Sequence, residues 1–315
     1  MSASPPNSPA ALPDLFDLQI NGFGGVDFQT PLQLPELRKA CDTLRASRMT
    51  RILATFITDR PEALLQKIRT FESFRSQDPL IAQTIVGYHL EGPYMSAEPG
   101  YRGAHPPEAM KDPDWTEFQR LQDAANGLIR LVTLAPERAG SAEFIAAATA
   151  TGVRIALGHT NADDSQIDDA IRAGATLCTH LGNGCPAQMH RHDNIIQRLL
   201  ARDELIACLI PDGIHLPPAC LRNLFRAKPP GKVILTTDAM AAGGAGPGRY
   251  RISSYEVEVG EDQVVRMPGS PYFAGSSLQL DRGVHNAAQW LGIPLAEAAS
   301  LASEAPAKAL GFPHP

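Results

Sequence analysis

Aromatic residues make up only 6% of this sequence, and none of them forms a platform interleaved with arginine. Lys and Arg together number 28 against 34 Asp and Glu, for a formal net charge of −6, and the cations form no stripe. A nucleic-acid partner is therefore not expected, since such proteins need basic surface to offset phosphate charge. Cysteine is scarce too. Cys41, Cys178, Cys185, Cys208 and Cys220 are odd in number and include no Cys-x-x-Cys pair. That argues against a disulfide framework and for reduced thiols in a cytoplasmic protein. No apolar run is long enough to cross a bilayer, so no membrane partner is expected. Residues 1–13 are rich in Pro and Ser without an apolar stretch, so they do not read as a signal peptide and are expected to fray.

What remains is a chain of 315 residues, 43% hydrophobic and 20% charged, which is ordinary globular composition with enough apolar mass for a large core. Short stretches rich in Val, Ile and Leu recur at 15–20, 51–57, 85–89, 131–134, 153–157, 176–179, 205–210 and 232–236. Such runs suit strands buried on both faces. Between them, 35–48, 61–74, 141–151, 163–173 and 218–227 read as helices, from apolar spacings of three and four or from Ala-rich runs that end at Gly. Eight strands alternating with helices predict a closed parallel (β/α)8 barrel, an α/β TIM-barrel fold, as one domain over residues 14–315. Residues 250–259 and 263–267 predict a small β-hairpin insertion after strand eight, and 294–310 a further helix.

In such barrels chemistry sits at the C-terminal ends of the strands. Here those ends carry Gln19 and Asn21, His89 and Glu91, His159, His180, Asp212 and His215, and Asp238. A single His at a strand end is usually a hydrogen-bonded structural residue, and Asp238 alone could cap a helix. Their joint arrival at one rim points to a site. Glu91, His159 and His180 offer one carboxylate oxygen and two imidazole nitrogens, a set that suits Zn²⁺ and, less selectively, Fe²⁺ or Co²⁺. Such an ion would lower the pKa of water toward neutrality, and Asp238 could exchange protons with that water and with a leaving amine.

The chain resembles the N-acetylglucosamine-6-phosphate deacetylases, a branch of the amidohydrolase superfamily. The stretches that carry the likeness run in family order: Asp17 to Gly25, His89-Leu-Glu-Gly-Pro93, Gly103-Ala-His-Pro106, Leu157 to Asn161, Thr179 to Asn183, Asp212-Gly-Ile-His215, Thr237-Asp-Ala-Met240 and Ala274-Gly-Ser-Ser277. The resemblance implies hydrolysis of an N-acetylated amino-sugar phosphate, N-acetylglucosamine 6-phosphate first, to the amine and acetate. It implies Glu91, His159 and His180 as metal ligands and Asp238 as the catalytic acid/base. It also implies His215 at the scissile acetamide, His105, Asn183 and Gly184 at the sugar, Ser276 among the substrate-binding residues, and Arg191 at the phosphate, reaching a neighbouring subunit in a homodimer. Where much of the superfamily carries His-x-His, this chain reads Gln19-Ile-Asn21. Amides are poor transition-metal ligands, so one divalent ion is expected, Zn²⁺ first, with Fe, Co, Mn or Ni as alternatives. His89 is expected in the core or behind the ligands.

Two departures bear on substrate choice. Family members usually carry a small β-sandwich built from segments on either side of the barrel. With strand one near residue 15 and the last residue at Pro315, neither half is expected here. Gly182 to Pro186 also differs from the commoner Asn-Ala-Met pattern beside the second His. An amidohydrolase for another N-acyl or cyclic amide is therefore a second reading, and a non-catalytic sugar-phosphate binder a third. Retention of Glu91, His159, His180 and Asp238 argues against the third.

Overall fold

A computed structural model describes residues 12–253, 255–268 and 273–313. The expected fraying of residues 1–13 falls mostly outside these. The apolar runs form strands β1 (Leu15–Ile20), β2 (Met49–Ile57), β3 (Ile85–Glu91), β4 (Ile129–Leu134), β5 (Arg154–Leu157), β6 (Leu177–Cys178), β7 (Ile206–Leu209) and β8 (Val233–Leu235). They lie side by side in chain order, all parallel. Between β8 and β1 the ladder is replaced by a few bonds. Ile20 bridges Ala239, Asn21 N–H donates to Ala239 O at 2.7 Å, and Asp17 accepts from the Thr236 hydroxyl at 2.5 Å and the Thr237 N–H at 3.1 Å. The result is a nearly closed TIM barrel.

The barrel is filled, as strands buried on both faces require. Phe16, Leu18, Leu53, Leu131, Ala156, Leu177, Cys208 and Ile234 form an apolar layer inside it. Ala307, Leu310 and Phe312 of the C-terminal segment close this layer from below, with Phe312 edge-on to Phe16 at 5.4 Å. A larger apolar shell lies between the strands and the surrounding helices. Above the floor layer the interior becomes polar, and this is where the site lies.

The insertion after β8 carries three antiparallel strands, Gly248–Ile252, Tyr255–Val259 and Val265–Arg266. Residues 250–259 were expected as one strand of a two-stranded hairpin. Ser253, at φ 54°, turns the chain there and its N–H donates to Asp27 at 2.9 Å, so the run splits. The tail is likewise two helices, Leu295–Ser300 and Glu304–Leu310, rather than one. A helix over Trp115–Ala124, capped by Asp114, was not anticipated. All five cysteines are free thiols. Among the described residues no helix is long and apolar enough to cross a membrane.

Candidate active site

Three of the strand-end residues share an uncommon backbone. His159, His180 and Asp238 have φ of 51°, 28° and 51°. Left-handed conformations are costly for residues with a Cβ and persist where the surroundings over-determine them, commonly at functional sites. Here the cost is offset by a rim in which each residue is fixed on several sides.

Glu91 Oε1 lies 3.1 Å from His180 Nε2 and 3.5 Å from His159 Nε2, and the two Nε2 atoms are 3.1 Å apart. All three residues are buried. The edge of a tetrahedron around an ion with bonds of about 2.0–2.1 Å is about 3.3 Å, so this triangle is already spaced for a divalent cation. The tautomer fits as well. His159 Nδ1 lies 2.7 Å from the Tyr101 carbonyl, which can only accept, so the proton sits on Nδ1 and Nε2 presents its lone pair to the centre. His180 Nδ1 is buried without a partner among the described residues. Burial raises the Glu91 carboxyl, but the imidazoles packed against it, with His180 Nε2 in hydrogen-bond reach, outweigh it and hold Glu91 well below the usual range. Burial lowers the His180 imidazole, and the hydrogen bond and charge of Glu91 more than restore it, leaving it raised.

His105 also faces this centre. Its Nε2 is 3.9 Å from Glu91 Oε2, its ring stands 4.5 Å from that of His159, and Thr58 Oγ1 holds its Nδ1 at 2.9 Å. Ligand atoms of Glu91, His105 and His159 all lie within 4.8 Å of one another, a second possible grouping around a metal. The Glu91–His159–His180 triangle is the tighter one. Burial and the neighbouring His159 push the His105 imidazole down to about 3, so it is neutral at ordinary pH.

Gln19 and Asn21 act as donors. One Gln19 amide group donates to Glu91 Oε1 at 2.8 Å and to Asp238 Oδ1 at 2.9 Å, and Asn21 Nδ2 donates to Asp238 Oδ1 at 2.7 Å. The amides thus tie together two carboxylates that would otherwise repel. Burial, and then the charge of Glu91, raise the Asp238 carboxyl to about 7. His215 Nδ1 is 2.6 Å from Asp212 Oδ2, while Asp212 Oδ1 accepts the N–H groups of Ile214 and His215 at 2.8 Å. Asp212 therefore sets the orientation of His215. That role was not read from the sequence, although the i, i+3 spacing of the two residues carries it.

Gly184 packs against the centre itself. A Cβ there would stand 3.0 Å from His159 Nδ1 and 3.2 Å from His180 Cε1, and φ is +61°. Asn183 N–H and Nδ2 both donate to the His180 carbonyl, at 2.9 and 3.2 Å. His89 is buried among threonines, in the core as expected. Ser276 was expected among the substrate-binding residues. It is buried, its hydroxyl donates to Thr237 O at 2.5 Å and accepts from Leu278 N–H at 3.2 Å, and its backbone bonds Asp238 O and Met240 N–H. With its hydroxyl engaged on both sides, it holds the Asp238 turn. Arg191 lies on an exposed stretch with no ion-pair partner among the described residues.

A parallel barrel that gathers a buried carboxylate, two imidazoles and a further carboxylate at the C-terminal ends of its strands defines a metal-dependent hydrolase of the amidohydrolase type, acting on a carbon–nitrogen bond. The chain is 38% identical over 313 residues to human N-acetylglucosamine-6-phosphate deacetylase, covering 95% of this chain and 74% of that protein. It is 32% identical over 309 residues to the enzyme of that name from Bacillus subtilis, covering 98% of this chain and 77% of that one. A crystal structure of N-acetyl-D-glucosamine-6-phosphate deacetylase from Mycobacterium smegmatis superposes with a TM-score of 0.87 at 33% identity, over all of this chain and 84% of that one. No family model matches the chain. The chain belongs to the N-acetylglucosamine-6-phosphate deacetylase family.

Proposed function

We propose that this chain hydrolyses the acetamide of N-acetylglucosamine 6-phosphate, releasing acetate and glucosamine 6-phosphate. The observation that carries the reading is the 3.1–3.5 Å triangle of Glu91, His159 and His180 beside Asp238. The printed activity of the relatives supports the choice of substrate.

In this reading Glu91, His159 and His180 hold one divalent ion, Zn²⁺ by preference. Two nitrogens and an oxygen in a buried pocket suit it, while Fe²⁺, Co²⁺, Mn²⁺ or Ni²⁺ share the ligand types. A bound ion supplies hydroxide near neutral pH and polarises the scissile carbonyl. Asp238 takes a proton from water and passes it to the departing amine. His215, oriented by Asp212, hydrogen-bonds the acetamide oxygen. His105 meets the sugar, Asn183 and Gly184 line the sugar site, and Arg191 reaches the phosphate of a neighbouring subunit in a homodimer.

The test is acetate release from N-acetylglucosamine 6-phosphate by metal-replete protein, with a chelated control. Chelator-sensitive release is expected. Absence of release with one equivalent of metal bound would move the reading to another N-acyl or cyclic amide. Equal turnover of unphosphorylated N-acetylglucosamine would remove the phosphate role of Arg191.

A further inference from the structure

One layer beneath the ligand triangle, a hydrogen-bonded chain crosses the barrel interior. His89 Nε2 lies 2.7 Å from Thr133 Oγ1, and Thr133 Oγ1 lies 2.6 Å from Thr179 Oγ1. On the other side, His89 Nδ1 is 3.4 Å from Thr55 Oγ1, which accepts the Ile20 N–H at 3.0 Å. Every member is buried. The Thr133 and Thr179 side chains meet over Gly158, where an added Cβ would stand 2.9 Å from Thr179 Cβ and 3.1 Å from Thr133 Cγ2. The chain therefore passes through a gap that only glycine leaves open.

The placement along the sequence is what gives this layer a role. His89 precedes Glu91 by two residues on β3, so the two side chains share the interior face. Gly158 immediately precedes His159, and Thr179 immediately precedes His180. Each strand that ends in a ligand is thus gripped just below that ligand, and Thr133 on β4 is the joint between them. We propose that the His89–Thr133–Thr179 chain is a positioning device that sets the relative heights of these strands and so the spacing of Glu91, His159 and His180 for a metal ion. The inference rests on the ligand set proposed above. Groups behind a ligand commonly change metal affinity by about 10–100-fold when lost. Thr133 pairs with Glu91 along the β3–β4 ladder, but its hydroxyl bonds none of the ligands and acts through its neighbours' hydroxyl and imidazole.

A core-filling role and a positioning role separate when the hydroxyl is removed without changing shape. The experiment compares full-length Thr133→Val, Thr133→Ser and wild type, with Thr84→Val as the control for loss of a buried hydroxyl elsewhere. Zn²⁺ affinity is measured by competition with a chromophoric chelator, the visible spectrum of the Co²⁺-loaded protein reports ligand geometry, and the thermal midpoint of the chelated protein reports the fold. Thr133→Val is expected to weaken Zn²⁺ binding at least about tenfold and alter the Co²⁺ bands. Thr133→Ser, which keeps the hydroxyl but loses a methyl group, should retain affinity even where it melts lower. Thr179→Val should also weaken binding, and the double valine variant should add little to the loss in Thr133→Val, which already breaks the Thr133–Thr179 link. Zn²⁺ affinity in Thr133→Val equal to that of Thr84→Val, or equal loss in Thr133→Ser, would overturn the proposal. Should Thr133→Val fail to fold, Thr179→Val decides by the same criteria. Wild-type affinity in His180→Asn would instead sink the ligand set on which the proposal stands.

Discussion

The Nε2 atoms of His159 and His180 face each other 3.1 Å apart, and the Tyr101 carbonyl obliges His159 to carry its proton on the far nitrogen. A bare lone pair on His159 therefore points at His180, and something positive belongs between them. A proton on His180 or a metal ion at the triangle would each satisfy it, so the two compete. Glu91 raises the His180 imidazole above its ordinary value, which sets the sign. As pH falls through that raised value, protons displace the ion and Zn²⁺ affinity drops. Titration of the chelated protein with Zn²⁺ at pH 8, 7 and 6 checks this, and an affinity independent of pH would contradict it. In the folded protein at Zn²⁺ about 100-fold above its dissociation constant, stability should rise by about 2.7 kcal/mol over the chelated form.

Asp238→Asn preserves the shape of the side chain and its oxygen can still accept from Gln19 and Asn21, so metal content should be unchanged. Proton transfer is lost, and kcat for acetate release should fall by about 10²–10⁴. The carboxylate form is needed to accept the first proton, and burial with the Glu91 charge raises this group to about 7. Activity should therefore decline as pH falls through that region, and a bound cation moves the limb lower. Full activity in Asp238→Asn would exclude Asp238 from the chemistry.

Much of the barrel was legible because strands buried on both faces read as unbroken apolar runs, and Glu91, His159, His180 and Asp238 stand out where those runs stop. What was not legible depends on contacts across the chain. The hydrogen bonds of the Ser276 hydroxyl to Thr237 and Leu278 are such contacts. The approach of His105 to Glu91 is set by Thr58, 47 residues away. The extra turn at Ser253 follows from a bond to Asp27, 226 residues distant, which no local pattern encodes.

Gly184 is a second case where position along the chain conceals function. A Cβ at this position would press on both imidazoles at φ +61°. Gly184→Ala should therefore push His159 and His180 apart by a few tenths of an ångström and weaken Zn²⁺ binding roughly tenfold, the scale of a lost supporting contact. It should also lower stability by about 1 kcal/mol through the left-handed backbone. Chelator competition and thermal melting measure the two effects separately. Unchanged Zn²⁺ affinity would mean that the loop relaxes without moving the ligands.

Asp17 makes a prediction about pH and stability that is independent of the metal. It closes the barrel by accepting from the Thr236 hydroxyl and the N–H groups of Thr237 and Gln19, but burial outweighs these bonds and raises its carboxyl from 3.8 to about 6. A folded-state value above the unfolded one means that folding takes up a proton between the two. The group costs little well below pH 4, where both states are protonated; the cost grows as pH rises from about 4 to about 6 and levels off above that. Two units correspond to about 3 kcal/mol. Asp17→Asn cannot ionise and lacks this slope, while Asp27, also raised to about 6 by burial, contributes equally to both proteins and cancels. Urea unfolding of the chelated proteins at pH 4 and pH 7 should show wild type losing about 2 kcal/mol more than the variant across that interval. Parallel pH profiles would mean that the three hydrogen bonds hold Asp17 ionised in the folded barrel at no net cost.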